Sequence, residues 1–186
     1  MRLFLAIPLA ESVVKELAGL TARLRPAAAD LRWSAPESWH VTLQFLGNTT
    51  TEQYNCLLAR LAELRSAPVS VQLAGLGVFE RAGILYAGVE VTSSLAALQQ
   101  RIVAATTPCG FEPEARPYHP HITLARAKGR DRARALRGLV AGAQAGFSRC
   151  TAGEFLLYES HLSSAGSTYE VRCRFQLSAA ALHAAH

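Results

Sequence analysis

The apolar positions of this chain fall into two spacings, one of strands and one of helices. Residues 3–7 form a short apolar run that predicts a buried strand. Val13, Val14, Leu17, Leu20 and Leu24 then repeat at the interval of a one-faced helix starting near Glu11-Ser12, which Pro26 stops. Leu31-Arg32-Trp33 reads as a short strand and Pro36-Glu37-Ser38 as a turn. His40 to Leu46 reads as a longer strand closed by Gly47-Asn48. A second helix is predicted from about Thr51 to Arg65, with Leu57, Leu58, Leu61 and Leu64 inward and Thr51 as its cap. Strands follow at Val69–Leu76 and Ile84–Val91, then a helix from Ser94 to Ala105 capped by Ser93 or Ser94. After a Pro- and Gly-rich stretch come a strand from His121 to Arg126, a basic helix over 131–141, and strands Phe155–Leu162 and Tyr169–Leu177. Several neighbouring strands are joined by loops too short for a crossover. Those pairs must be antiparallel, which favours α+β over a doubly wound parallel sheet.

Composition narrows the class. The chain has 186 residues, half of them hydrophobic and 18% charged, which suits one globular unit and excludes disorder. No apolar run approaches the roughly 20 residues of a membrane span. The opening Met1 to Leu9 is short for a signal peptide, is followed by Glu11, Lys15 and Glu16, and lacks a cleavage site, so a cytoplasmic protein is expected. Cys56, Cys109, Cys150 and Cys173 form no Cys-x-x-Cys pair, which argues against zinc, and in the cytoplasm they would stay reduced. The +5 charge favours polyanions only weakly. A monomer is the default, because no extra apolar stripe asks for a partner.

One feature carries chemistry. His40-Val41-Thr42-Leu43 recurs as His121-Ile122-Thr123-Leu124, a coincidence that a chain with six histidines does not readily produce. On a strand, His and Thr two apart share one face, about 7 Å from each other, while Val41, Leu43, Ile122 and Leu124 take the other. If the two halves are related by an approximate two-fold axis, two imidazoles and two hydroxyls surround one space. That set suits in-line phosphoryl transfer: a base for the attacking water, an acid for the departing oxygen, and donors for the oxygens where charge gathers. The plainer alternative is that both His-x-Thr strands are structural.

The pair of motifs resembles the two-histidine phosphoesterase superfamily, in particular the RNA 2′,3′-cyclic phosphodiesterases, also called 2′-5′ RNA ligase-like proteins. Met1–Pro8, Leu31-Arg32-Trp33, His40–Gly47, Leu76–Phe79 with Leu85–Val89, Arg116–Arg126, and Ser160-His161-Leu162 with Tyr169 and Phe175 all resemble that family's blocks. The resemblance implies a bilobal, pseudo-symmetric α+β fold over residues 1–178, two antiparallel sheets facing across a central cleft with helices outside, and a tail over 179–186. It implies hydrolysis of RNA 2′,3′-cyclic phosphate ends to 2′-phosphates, with joining of tRNA halves by some members. It implies His40 as proton donor, His121 as proton acceptor, Thr42 and Thr123 on the phosphate, and Phe45 and Arg126 as substrate contacts. No cofactor and no metal ion are expected. Strict alternation would turn Phe45 and Arg126 away from the cleft, so each strand needs a twist or bulge. Ordinary core packing for Phe45 and a surface ion pair for Arg126 are the alternatives.

Other readings stay open. The substrate of such an enzyme could instead be a cyclic nucleotide-sugar phosphate or a 2′-5′ oligonucleotide, or the chain could be a non-catalytic RNA-end binding module. His119-Pro120-His121 offers two imidazoles to a metal but has no further ligand at a telling spacing. Arg126, Lys128, Arg130, Arg132, Arg134 and Arg137 form either a basic rim guiding RNA or a solvated helix face. Trp39 and Tyr118 belong either to the cleft wall or to the core.

Overall fold

The computed structural model describes residues 1–127, 132–141, 146–163 and 166–178. Two four-stranded antiparallel sheets make the two lobes. The first has the order β10–β9–β1–β3, from β1 (Arg2–Pro8), β3 (His40–Asn48), β9 (Glu154–Ser163) and β10 (Gly166–Gln176). The second has the order β2–β7–β6–β5, from β2 (Arg32–Trp33), β5 (Leu73–Phe79), β6 (Ile84–Val89) and β7 (His121–Arg126). This is the bilobal α+β architecture that the resemblance implied. Helices α1 (Glu11–Leu24), α2 (Thr51–Ala62), α3 (Ser93–Thr106) and α4 (Arg132–Ala141) complete it. No helix among the described residues is long and apolar enough to cross a membrane.

The helices follow their apolar spacing. Val13, Leu17 and Leu20 of α1, Leu57 and Leu61 of α2, and Leu95, Leu98 and Ile102 of α3 are all buried. With Leu3, Leu5 and Ile7 of β1 most of them join one core cluster. Each such side chain contributes roughly 1.5–3 kcal/mol by leaving water.

The structure corrects several expectations. The cap of α2 is Thr50 and not Thr51: its hydroxyl accepts from Gln53 N while the Gln53 side chain accepts from Thr50 N, a reciprocal pair that satisfies two orphan amide groups. Thr92, one residue before the expected serines, caps α3 through Leu95 N. The expected strand Val69–Leu76 is two strands. β4 (Val69–Val71) pairs with β8 (Cys150–Ala152) in a separate ribbon, and the chain changes sheet at Gln72 to enter β5. The cysteines are not all free thiols. Cys56 of α2 and Cys109, just beyond α3, form a disulfide, because the two helices pack together and bring their Cα atoms to 5.7 Å. Cys150 and Cys173 remain unpaired.

Candidate active site

The two tetrads lie on β3 and β7, which pack against each other across the lobes. His40 and Thr42 are half-buried on one side of β3, with Val41 and Leu43 in the core. His121 and Thr123 repeat this on β7, with Ile122 and Leu124 buried. Tyr118 ties the halves together by donating its hydroxyl to the Thr42 carbonyl at 3.0 Å. Thr42, Phe45, Tyr118, His119 and His121 line a cleft of about 1210 Å³, walled on its far side by α3. His40 and Thr123 fall outside that lining set.

Both strands carry the irregularity that the sequence argument required, at the same place. Between β1 and β3, Ala6 faces Thr42 and Leu5 faces Gln44, leaving Leu43 without a partner. Between β6 and β7, Tyr86 faces Thr123 and Leu85 faces Ala125, leaving Leu124 without one. One extra residue reverses the parity of everything after it. Gln44 and Ala125 therefore turn inward, and Phe45 and Arg126 return to the side of the histidines. Phe45 is 69% exposed at the cleft wall, which overturns ordinary core packing for it. Arg126 is exposed and close enough for its charge to act on His121.

The imidazoles are braced alike. His40 Nδ1 meets the Ser38 carbonyl at 2.8 Å and His121 Nδ1 meets the His119 carbonyl at 2.8 Å, each two residues back. A carbonyl only accepts, so Nδ1 carries the proton and donates. In the neutral ring Nε2 is then left with its lone pair, ready to take a proton. In the charged ring Nε2–H is ready to give one.

Their surroundings differ. Phe4, Tyr158 and Tyr169 ring His40 at centroid distances of 4.8, 5.9 and 5.2 Å. This burial lowers its pKa to about 4, against the pull of the Ser38 carbonyl, and positive charge on His121 depresses it further. His121 faces Phe79 at 4.9 Å and Tyr86 at 5.5 Å. Its pKa is lowered too, first by burial, with the His119 carbonyl opposing and charge on His119 and Arg126 adding to the fall. His40 thus lies close enough to His121 to feel its charge. Burial also raises the pKa of the Tyr118 phenol, so it stays a hydroxyl donor.

A family model described as the 2′-5′ RNA ligase superfamily matches residues 9–162. The chain belongs to that superfamily. Among its relatives, the RNA 2′,3′-cyclic phosphodiesterase of Bacillus subtilis (strain 168) is 31% identical over 183 residues, covering 94% of this chain and 96% of that protein. The crystal structure of TT0787 of Thermus thermophilus superposes with a TM-score of 0.79 at 27% identity, covering 95% of this chain and 98% of the other. A crystal structure of E. coli LigT complexed with phosphate is similar in fold, with a TM-score of 0.76 at 23% identity, covering 96% and 98%.

The remaining sequence candidates sort out within this two-histidine phosphoesterase. Trp39 is buried in the core, its indole nitrogen without a hydrogen-bond partner, while Tyr118 belongs to the cleft wall. His119 hydrogen-bonds to the Tyr86 hydroxyl at 3.2 Å. Among the described residues the grouping with metal-ligand spacing lies elsewhere, at Glu159, His161 and Glu170, where Arg172 bridges both carboxylates. The basic run is only partly visible: Lys128 and Arg130 lie outside the described residues, and Arg137 pairs with Glu80 at 3.0 Å. The aromatic rings around the two histidines went unseen in the sequence. Tyr86, Phe79, Tyr158 and Tyr169 are far from either tetrad in sequence, and only the sheet pairing brings them to the histidines.

Proposed function

We propose that this protein opens RNA 2′,3′-cyclic phosphate ends to 2′-phosphates, with His121 as general base and His40 as general acid. Water attacks phosphorus and passes a proton to His121 Nε2, while the bond from phosphorus to O3′ breaks and O3′ takes a proton from His40 Nε2. Thr42 and Thr123 donate to the non-bridging oxygens, where charge gathers in the transition state. Phe45 stacks on a base and Arg126 holds phosphate or base. These groups supply acid, base and anion stabilisation between them, so the reading calls for no metal ion. With a 5′-hydroxyl in place of water, the same chemistry joins RNA ends such as tRNA halves through a 2′-5′ bond.

The observation that carries this reading is the matched bracing: two imidazoles on the packed strands β3 and β7, each with Nδ1 engaged by a carbonyl and Nε2 left for proton transfer. The lowered pKa values fit it once an anion is bound. A neutral His121 is competent as a base. A phosphodiester anion beside His40 offsets its burial and favours the imidazolium that an acid requires.

The test is turnover of a 2′,3′-cyclic mononucleotide and of RNA oligomers ending in the cyclic phosphate, with product analysis. His40→Ala and His121→Ala should each lower turnover by roughly 10² to 10⁴, and the double variant should lose far less than the product of the two. Near-normal turnover in either single variant, or a mainly 3′-phosphate product, would defeat the assignment.

A further inference from the structure

His40 and His121 share a carbonyl brace, but the two carbonyls are held in place by different means. Ser38 belongs to a 3-10 turn, Pro36–Ser38, whose main chain closes on itself: Ser38 N donates to the Ala35 carbonyl at 2.9 Å and Trp39 N to the Pro36 carbonyl at 3.1 Å. His119 lies in the irregular stretch before β7. Next to it the Pro120 carbonyl accepts from Val89 N at 3.0 Å, and the His119 side chain is tied by its Nε2 to the Tyr86 hydroxyl at 3.2 Å.

Tyr86 is itself set by an unusual neighbour. Its partner across β5 and β6 is Gly77, and a Cβ added at Gly77 would overlap the Tyr86 ring. The ring thus lies over bare backbone. Phe79, two residues on, stacks on it at 4.3 Å with 27° between planes. Tyr86 then meets both His119 and His121 at 5.5 Å.

We propose that Tyr86 is a positioning residue for His121: lying where Gly77 leaves room, it anchors the His119 side chain and so fixes the carbonyl that holds His121 Nδ1. A phenol both donates and accepts, so the anchor persists whichever protonation state His119 takes. Pro120 transmits it, because its ring restricts the backbone between the anchored residue and His121. The consequence is geometric. Without the anchor the His119 carbonyl wanders, Nδ1 loses its partner, the neutral ring becomes a mixture of tautomers, and Nε2 no longer always presents its lone pair. This inference rests on His121 as the acid–base group of the cleft.

The test combines kinetics with a spectroscopic signature. Tyr86→Phe keeps the ring and the stack on Phe79 but removes the hydroxyl. Gly77→Ala keeps the hydroxyl but displaces the ring. His119→Ala removes the anchored side chain and leaves its carbonyl in the chain. Turnover of adenosine 2′,3′-cyclic phosphate should show kcat falling roughly 10-fold or more in all three variants, with KM little changed, as for a misplaced catalytic group. In protein with ¹⁵N-labelled histidine and an empty cleft, neutral His121 should be the Nδ1–H tautomer in the wild type and a mixture in the variants. Combining Tyr86→Phe with His119→Ala should add little, since both act along one route. A single Nδ1–H tautomer at His121 in Tyr86→Phe, or unchanged kcat there, overturns the proposal. If the wild type fails to open the cyclic ester, the acid–base reading falls, while the tautomer at His121 still decides the positioning role. Should Gly77→Ala not fold, Tyr86→Phe decides alone.

Discussion

The aromatic ring around His40 has a consequence for stability that acid reveals. Lowering a histidine from 6.5 to about 4 penalises protonation of the folded protein by about 3 kcal/mol. The sign follows from which state holds the proton: below pH 6.5 the unfolded chain binds one at His40 and the folded chain does not. This contribution to stability is therefore intact above pH 6.5 and is lost as pH falls towards 4. Replacing His40 by Gln deletes it. Relative to that variant the wild type should lose about 2 kcal/mol between pH 7.5 and pH 5 and about 3 kcal/mol by pH 4. Urea unfolding of both proteins with the disulfide intact measures the difference, and the His40 ring proton followed by NMR against pH measures its cause. Inorganic phosphate should raise the midpoint of that titration, because an anion in the cleft favours the imidazolium. A His40 midpoint near 6.5 in the empty protein, or a wild-type-minus-variant difference that stays flat with pH, would refute the reasoning.

Other outcomes are as definite. Phe45→Ala should cost little stability, since the ring is 69% exposed, yet raise KM for RNA ends more than for a small diester without a base. A reversal of that preference would remove Phe45 as a stacking surface. Turnover should survive thorough dialysis against chelator, and loss of activity restored by a divalent ion would move the chemistry to a metal. Replacing Cys56 and Cys109 by Ser removes a link between residues 53 apart in sequence, for which the chain-entropy model gives about 4 kcal/mol of stability. A denaturation midpoint unmoved by the double substitution would show that this link contributes nothing.

What the sequence disclosed is what local pattern controls. The helices announced themselves by spacing, and β1, β3 and β7 by short apolar runs. The tetrad repeat was legible because two copies of one strand motif demand one explanation. What stayed hidden depends on pairing. Val69–Leu76 reads as one strand since nothing in its residues marks the change of sheet at Gln72, and β8 is only three residues long. The Cys56–Cys109 link follows from how α2 packs on the end of α3, which no spacing rule reports. His119 was given no role by its spacing, because its partner, Tyr86, sits on a strand whose register against β7 was unknown. The need for a bulge was visible, but its place was not: Leu43 and Leu124 are ordinary core leucines, with no glycine to mark the extra residue.

That shared bulge explains how one repeat yields a site and not merely two similar strands. Strict alternation would give each strand two cleft residues, His and Thr, and bury the third. The extra leucine restores the third, and there the copies part: one lobe presents the apolar ring of Phe45 and the other the cation of Arg126. The same divergence runs through the rings around the histidines. His40 sits among Phe4, Tyr158 and Tyr169, while His121 has Phe79, Tyr86, a second imidazole and Arg126 for neighbours. Acid and base roles separate when environments hold two like groups at different proton affinities. A strictly symmetric pair would have no reason to divide them. His40 is the more enclosed of the two, and a bound anion offsets the desolvation that lowers its proton affinity. On the proposed mechanism, substrate binding would itself charge the acid, His40, and leave His121, beside Arg126, as the base.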